Sequence, residues 1–248
     1  MNSDKIVSVY GYGRFGKLWA EILAEDFHVK VYSRSGIAVD GVKEGIEITD
    51  AKGIFDCDAL FFCVAISSFE EVLKHASPFC KTETLFFDTC SVKVLPATWM
   101  KQHLPQGCKI ICTHPMFGPD SYPPKDKPLA MVMSNISSKN DEFQQWFNYF
   151  SSKSLHVEQM TPEKHDQLSA YSQGITHYVG RLFEELQLTT SPIDTQGYRS
   201  LLQVMEQTCN DSWQLFLDLQ RYNPYTERMR QDLHNSIEKL NSALRKQR

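Results

Sequence analysis

Two short polar clusters carry side chains that could do acid–base chemistry. One spans residues 88–93 (DTCSVK) and the other spans residues 113–119 (THPMFGP), and each follows an apolar run. The imidazole of His114 can accept a proton from a substrate hydroxyl at neutral pH. Ser91 could orient that imidazole or hydrogen-bond the same hydroxyl. A histidine at a strand end is nevertheless more often structural, so the residue types alone leave both interpretations open.

A glycine-rich segment at residues 11–16 predicts a dinucleotide site. It follows the apolar run Ile6–Tyr10 and opens an amphipathic stretch, which is the strand–turn–helix context that such a motif requires. Gly11 permits the tight turn, Gly13 lets backbone approach a pyrophosphate, and Gly16 allows close packing of helix on strand. The positive end of the following helix favours phosphate. The predicted cofactor-binding residues of this segment are Gly11, Tyr12, Gly13, Arg14, Phe15 and Gly16.

The end of the second predicted strand indicates which dinucleotide binds. NAD sites usually place Asp or Glu there, which accepts hydrogen bonds from the ribose hydroxyls. Here Tyr32 is followed by Ser33, Arg34 and Ser35. A guanidinium flanked by two hydroxyls suits a 2′-phosphate because its charge and fork geometry match that group. NADP is therefore predicted over NAD, and a solvated turn arginine is the alternative.

The elements that position these residues alternate in the first part of the chain, as in a βαβ sheet. The run at residues 60–64 is apolar on both faces, as expected for an interior strand of a parallel sheet. The predicted strands are Ile6–Tyr10, His28–Tyr32, Ala59–Val64, Thr84–Phe87, Lys109–Thr113 and Leu129–Met133. The predicted helices are Phe15–Ala24, Phe69–His75, Leu95–His103 and Asp141–Phe150.

Helical periodicity replaces this alternation after residues 155–159. Proline-containing breaks then separate three predicted helices, which are Pro162–Leu188, a helix near Thr195–Arg221, and Tyr225–Leu244. The predicted fold class is α/β, with a Rossmann-type dinucleotide-binding domain at residues 1–158 followed by an all-α domain at residues 159–248.

The helical part of the chain favours a homodimer. It lacks an obvious core of its own and carries large apolar residues such as Trp213 and Phe216. Long helices of this kind commonly bury such faces against a second subunit. Packing onto the first domain alone is the alternative.

The composition argues against several other classes of protein. The 248 residues have a formal net charge of -4 and therefore no broad basic surface, so nucleic acid is not a predicted partner. No apolar run is long enough to span a bilayer, so no membrane association is predicted. The seven cysteines include no pair at CxxC spacing, which predicts reduced core thiols and no metal site. Without a recognisable leader, the chain is expected to be cytoplasmic or a trimmed mature form.

Taken together, the motifs resemble the prephenate/arogenate dehydrogenase (TyrA) family, and the chain looks most like its short plant-type arogenate dehydrogenases. Six clusters in one order are far more specific than a single glycine motif. They are GYGRFG (residues 11–16), YSRS (32–35), DTCSVK (88–93), THPMFGP (113–119), EKHDQLSAYSQGITHYVGRL (163–182) and PIDTQGY (192–198). The resemblance implies an N-terminal Rossmann domain followed by a helical dimerisation domain.

The resemblance also implies a reaction and its catalytic residues. His114 matches the family's catalytic histidine, which engages the ring C4 hydroxyl, and Ser91 matches the serine that assists it near the nicotinamide. Hydride leaves C4 for the cofactor as the C1 carboxylate departs as carbon dioxide, and aromatisation drives the reaction. The protein is therefore expected to be an NADP-dependent enzyme that converts the small molecule arogenate to tyrosine.

The helical half supplies the substrate-binding residues that the resemblance implies. Gln173 and Thr195 match substrate-contacting positions in plant-type members. His177 lies one helical turn beyond Gln173 and shares its face. Asp211 matches a position where an acidic residue accompanies the use of arogenate, because a carboxylate pairs with the ammonium that prephenate lacks.

Other matches to the family leave roles open. Many bacterial members hold a substrate carboxylate with an arginine at the position where this chain has Gln203. Plant-type members also lack that arginine. Arg181 and Arg199 are then candidates for that role. The adjacent His165 and Asp166 also match a family motif, and helix capping explains Asp166 as well as catalysis does.

Three alternative functions follow from the same residues. A prephenate dehydrogenase, giving 4-hydroxyphenylpyruvate, keeps the chemistry and makes Asp211 an ordinary polar helix residue. A non-catalytic NADP-binding regulator keeps the fold alone. A Rossmann reductase acting on imines or hydroxy acids makes the clusters around Ser91 and His114 coincidental. The presence of both Ser91 and His114 weighs against the last two.

Overall fold

The computed structural model describes residues 4–38, 42–123 and 128–246. It divides into two compact units, residues 1–162 and residues 163–248. The last strand of the sheet runs to Gln159, so the division falls a few residues after the predicted boundary at residue 158. In the described residues, the first unit combines a sheet with helices and the second consists of helices, which confirms the predicted fold class.

Eight strands of the described chain form one sheet in the order β3-β2-β1-β4-β5-β6-β7-β8. They are β1 (Ile6–Tyr10), β2 (His28–Tyr32), β3 (Ile46–Ile48), β4 (Ala59–Phe62), β5 (Leu85–Asp88), β6 (Lys109–Pro115), β7 (Leu129–Asn135) and β8 (Leu155–Gln159). Neighbouring strands are parallel except β6 and β7, which pair antiparallel. The strand order reverses between β1 and β4, where open α/β sheets place their ligands.

The six predicted strands omit two of the eight strands, β3 and β8, and several predicted strand ends differ from the structure. The prediction missed β3, because the side chains of this three-residue strand are half-buried or exposed and form no apolar run. It also ended the sixth strand at Thr113, whereas β6 continues through His114 and Pro115, which pair with β7. His114 therefore lies within the end of a strand and not after it.

Four helices of the first unit pack on the sheet, namely α1 (Arg14–Leu23), α2 (Ile66–Ala76), α3 (Val94–His103) and α4 (Asn140–Ser152). Helix α1 buries Trp19, whose ring meets Phe61 of β4 at 5.8 Å between centroids. Phe61 stacks on Phe87 of β5 at 4.2 Å and meets Trp146 of α4 at 5.5 Å. These buried rings fix the strands whose ends form the site described below, since interiors are close-packed.

The second unit contains α5 (Pro162–Ser169), a π-helical turn (Ala170–Gly174), α6 (Ile175–Glu185), α7 (Gln196–Cys209), α8 (Trp213–Tyr222) and α9 (Thr226–Lys246). The prediction of one helix over residues 195–221 is wrong. The chain breaks after Cys209, and the Ser212 hydroxyl caps α8 by accepting a hydrogen bond from the Leu215 amide at 3.2 Å. Asn, Asp and Ser side chains in this break compete with helical backbone bonds, which explains the interruption. Within the described ranges, no helix has the length and apolar character to cross a membrane.

Candidate active site

The predicted cofactor and catalytic residues of the first unit lie along one edge of the sheet. Strands β1, β4, β5 and β6 are parallel, so their carboxyl ends meet at that edge. The glycine turn follows β1, Ser91 lies in the turn after β5, and His114 is the penultimate residue of β6. The fold thus brings together three clusters that are far apart in sequence.

The glycine turn has the close contacts that the motif predicts. Gly11 has a φ of +105°, and a Cβ there would collide with the carbonyl oxygen of Cys63. A Cβ on Gly16 would collide with the carbonyl oxygen of Gly11, so α1 sits directly on the turn. Nothing lies within 4 Å of a Cβ built on Gly13, which caps α1 without a side-chain hydrogen bond. Open space in front of Gly13 and the first amides of α1 fit a pyrophosphate.

The other three residues of the motif have side chains that contact protein groups. Tyr12 and Phe15 pack against the apolar core, and Phe15 stacks on Trp19 at 5.6 Å. Both side chains are therefore partly buried against the core. Arg14 is exposed and makes a bidentate ion pair with Asp120, at 2.8 and 3.0 Å.

The turn after β2 lies beside the glycine turn. The Gly11 amide donates to the Tyr32 carbonyl at 2.8 Å, which ties the two segments together. Ser33 and Ser35 bring their hydroxyl oxygens within 3.1 Å of each other, and Arg34 between them is exposed. A ribose held next to the glycine turn would therefore meet two hydroxyls and a guanidinium.

A fully buried ion pair joins the catalytic clusters. Lys93 donates to the Asp88 carboxylate and to the Thr113 carbonyl, the latter at 2.6 Å, and neither Lys93 nor Asp88 is exposed. The same carboxylate accepts from the backbone amides of Cys90 at 3.0 Å and Thr113 at 3.2 Å. Burial opposes the charged form of Lys93, but Asp88 and its surroundings outweigh this, so the pKa of Lys93 lies above its ordinary value.

This pair ties down the immediate neighbours of both proposed catalytic residues. Cys90 precedes Ser91, and Thr113 precedes His114, which is 2% exposed. A single carboxylate thus holds the turn carrying Ser91 and the strand carrying His114. Lys93 belongs to the motif at residues 88–93, but residue type alone does not distinguish a buried lysine from a surface lysine.

The thiols along this edge are not nucleophiles. Cys90 and Cys112 are buried, and burial raises the pKa of each thiol well above its ordinary value. Burial likewise raises the pKa of Cys63 to about 12. All seven cysteines are free, as the sequence predicted. His114 and Ser91 therefore remain the candidates for acid–base chemistry at this edge.

The helical unit brings three of the four predicted substrate residues into one region. Gln173 lies in the π-helical turn, and its Oε1 is buried without a protein partner. Such π turns occur frequently at functional sites. His177 is 7% exposed with an unpartnered Nδ1, and its Nε2 lies 3.9 Å from the Asp211 carboxylate. Burial lowers the pKa of His177, which Arg181 reinforces and Asp211 opposes, so the imidazole is neutral at neutral pH.

Thr195, the fourth, lies elsewhere in the unit. Its hydroxyl is exposed and caps α7 by accepting from the Tyr198 amide at 3.2 Å. Asp211 follows the other end of α7, and a helix of 14 residues is about 20 Å long. Within one chain the structure therefore separates Thr195 from Asp211. Its role as a substrate contact stays a prediction.

The remaining candidates have internal partners. His165 pairs with Asp166 through Nδ1 at 2.7 Å, and both side chains are buried. Asn223 donates to the carbonyl of Asp166 at 2.9 Å, which ties α5 to the turn before α9. Arg181 bonds within its own unit, whereas Arg199 is exposed in the first turn of α7. This geometry favours a structural role for His165 and Asp166.

Comparisons with known proteins agree with the fold and show the family. The family model described as "Prephenate dehydrogenase, nucleotide-binding domain" matches residues 27–128, and "TYRAAT1-like, C-terminal domain" matches residues 182–248. Arogenate dehydrogenase 2, chloroplastic, of Arabidopsis thaliana is 32% identical over 250 residues, covering 96% of this chain and 69% of that protein. The chain belongs to the prephenate/arogenate dehydrogenase family. The resemblance inferred from the six motifs is thereby confirmed.

Two further comparisons relate this prephenate/arogenate dehydrogenase family member to a second plant protein and to a solved structure. Arogenate dehydrogenase 1, chloroplastic, of Arabidopsis thaliana is 35% identical over 96% of the chain, which spans only 39% of that relative's length. The structure of prephenate dehydrogenase from A. aeolicus, in complex with hydroxyphenyl propionate and NAD+, superposes with a TM-score of 0.74. That likeness has 15% identity and covers 99% of this chain and 92% of the other, so it shows a shared fold.

Proposed function

We propose that the protein oxidatively decarboxylates arogenate to tyrosine, with a nicotinamide dinucleotide as hydride acceptor. The observation that carries the proposal is the convergence of the glycine turn, Ser91 and His114 at one edge of the sheet. Family membership supplies the reaction class. The proposal assigns cofactor binding to residues 1–158 and substrate binding and dimerisation to residues 159–248.

The chain's own residues act at the ring hydroxyl of the substrate. His114 accepts a hydrogen bond from the C4 hydroxyl and stabilises the positive charge that develops there as hydride leaves C4. Ser91 hydrogen-bonds the same hydroxyl or orients the imidazole. The electron pair of the bond to the C1 carboxylate enters the ring as carbon dioxide departs. The bound dinucleotide supplies the hydride acceptor.

We propose NADP as the preferred dinucleotide. The proposal is supported by Arg34 and its flanking hydroxyls, which follow β2 beside the glycine turn and carry groups that suit a 2′-phosphate. Arg34→Ala is expected to weaken NADP binding about tenfold and to leave NAD binding unchanged, because only NADP carries that charge. Dissociation constants from cofactor fluorescence test this. An equal loss for both cofactors would remove Arg34 from 2′-phosphate recognition.

We propose that Asp211 selects arogenate over prephenate. Its carboxylate is one-third exposed beside a neutral His177 and can pair with the substrate ammonium. Prephenate presents a keto oxygen at that place and gains nothing from the charge. Asp211→Asn is expected to lower kcat/KM for arogenate about tenfold or more and to raise relative use of prephenate. Unchanged arogenate preference would transfer selectivity to other residues and favour the prephenate alternative.

We propose that two copies associate through the helical unit, which exposes most of the large apolar side chains at the described surface. A cytoplasmic location is proposed on the seven free cysteines, which a reducing compartment maintains. The chloroplast is the alternative, because two Arabidopsis relatives are named chloroplastic.

A further inference from the structure

Arg181 is held at the meeting point of α6, α8 and the connection between α7 and α8. It is 9% exposed. Nη1 bonds the Glu184 carboxylate at 2.9 Å, and Nη2 donates to the carbonyl oxygen of Asp211 at 2.6 Å. The guanidinium carbon lies 5.3 Å from the ring centroid of Trp213 and 6.0 Å from that of Phe216. Both terminal nitrogens are thus engaged inside the unit and two aromatic rings lie near the guanidinium, whereas Nε is buried without a hydrogen-bond partner.

The contact between Arg181 and Asp211 bears on the proposed substrate site. Asp211 lies in the break between α7 and α8, where helical backbone bonds do not hold the chain. The guanidinium holds its carbonyl oxygen from α6, and the carboxylate of the same residue lies 3.9 Å from His177 Nε2. His177 precedes Arg181 by one helical turn, so one helix face carries both neighbours of Asp211.

Close packing of two helices makes this contact possible. A Cβ on Gly180 would collide with the Thr208 side chain, so the backbones of α6 and α7 approach closely there. The Cys209 thiol also lies 3.7 Å from the Gly180 carbonyl oxygen. The end of α7 is therefore fixed against α6 next to Arg181. The planar fork then reaches Glu184 and Asp211 together, which a lysine cannot do.

We infer that Arg181 is a positioning residue that fixes Asp211 for recognition of the substrate ammonium, and that it does not bind a substrate carboxylate. The inference rests on the proposed function, since it acts through Asp211. It identifies a residue that sets selectivity for arogenate without touching the substrate. Both substrates carry the ring carboxylate, whereas only arogenate carries the ammonium, so the two roles are separable by experiment.

The test compares Arg181→Met, Arg181→Lys and the matched control Arg228→Met, whose arginine side chain is 77% exposed. Steady-state kinetics are measured with arogenate and with prephenate. Arg181→Met is expected to raise KM for arogenate about tenfold, with kcat for arogenate and KM for prephenate changed less than about twofold. Arg181→Lys should give a smaller rise in the same direction, and Arg228→Met should match the wild type.

Equal losses with both substrates would overturn the inference, because they indicate carboxylate binding or a general loss of structure. Thermal unfolding accompanies each assay, and Arg181→Lys carries the test if Arg181→Met does not fold. Wild-type protein without arogenate preference would refute the proposed function, and the inference would fall with it. If Asp211→Asn loses that preference while both Arg181 variants keep it, the inference alone fails.

Discussion

The two units of this chain differ in how completely they bury their apolar side chains. Among the described residues, the first unit leaves two large apolar side chains exposed, Ile48 and Phe79. The shorter second unit leaves ten exposed, which are Leu168, Tyr171, Leu182, Leu186, Ile193, Leu201, Trp213, Ile237, Leu240 and Leu244. Its large buried apolar residues are Leu219 and Met229. The first unit buries most of its large apolar side chains, whereas the second leaves an apolar surface of the kind that often marks an interaction site.

The units also differ in how they treat buried polar groups. In the first unit, the charged pair of Asp88 and Lys93 is satisfied by protein groups. Its unpartnered polar atoms belong to Ser8, Tyr12 and Trp19, which lie among core residues. Among the described residues of the second unit, the buried side-chain atoms without a hydrogen-bond partner are Gln173 Oε1, His177 Nδ1 and Arg181 Nε, and the other ring nitrogen of His177 lies 3.9 Å from the Asp211 carboxylate. The first unit thus satisfies its buried charged pair internally, whereas the second has buried polar atoms that a ligand could satisfy.

The largest expected effect tests the chemistry of the first unit. His114→Asn should lower kcat about 100-fold or more, because a positioned acid–base group contributes that much. Cofactor affinity should stay within about twofold, since the glycine turn is untouched. Single-turnover kinetics with a fluorescence titration of NADP measure both quantities. Near-normal turnover would remove His114 from the mechanism and leave its burial in β6 as a structural fact.

The first unit can be destabilised by removing one partner of its buried ion pair. Lys93→Met leaves the Asp88 carboxylate buried and unpaired and should lower the free energy of unfolding by about 3–5 kcal/mol. The exposed Lys101→Met is the control, with a change below about 0.5 kcal/mol. Denaturant unfolding curves give both values. A small loss for Lys93→Met would mean that the pair does not tie β5 to β6.

The apolar surface of the second unit predicts association. Leu240 and Leu244 of α9 are 67% and 70% exposed, and replacing both with Glu should weaken the homodimer about 100-fold or more. Analytical ultracentrifugation over a range of concentrations measures this. Ile48→Glu is the matched control, because Ile48 is an exposed apolar residue of the first unit. Unchanged association of the double variant, or an equal loss in the control, would refute association through α9.

A smaller effect concerns pH. Burial lowers the pKa of His177, so the unfolded chain takes up a proton below about pH 6.5 before the folded protein does. Stability relative to His177→Gln should therefore fall as pH drops through that range, by less than about 1.4 kcal/mol per pH unit. Arg181 strengthens the shift and Asp211 opposes it. If the two proteins show parallel pH profiles of stability in urea unfolding, the pKa of His177 is not lowered by folding.

The sequence predicts the first unit better than the second for a physical reason. Runs such as Ala59–Phe62 are apolar on both faces because they are interior strands, and Gly11 and Gly16 are required by close backbone contacts. The break at Ser212 was missed because helical periodicity continues on both sides of it. The interpretations of Lys93 and Arg181 depend on burial and on contacts with Thr113 and Asp211, which spacing does not reveal.

The central claim is tested most directly by cofactor reduction with purified protein, using arogenate or prephenate crossed with NADP or NAD. Absorbance of the reduced nicotinamide gives the rate, and tyrosine and carbon dioxide are measured as products. Reduction is expected chiefly with arogenate and NADP, with tyrosine and carbon dioxide formed in equal amounts. No reduction with any pair, despite measurable NADP binding, would contradict it and favour a non-catalytic NADP-binding regulator.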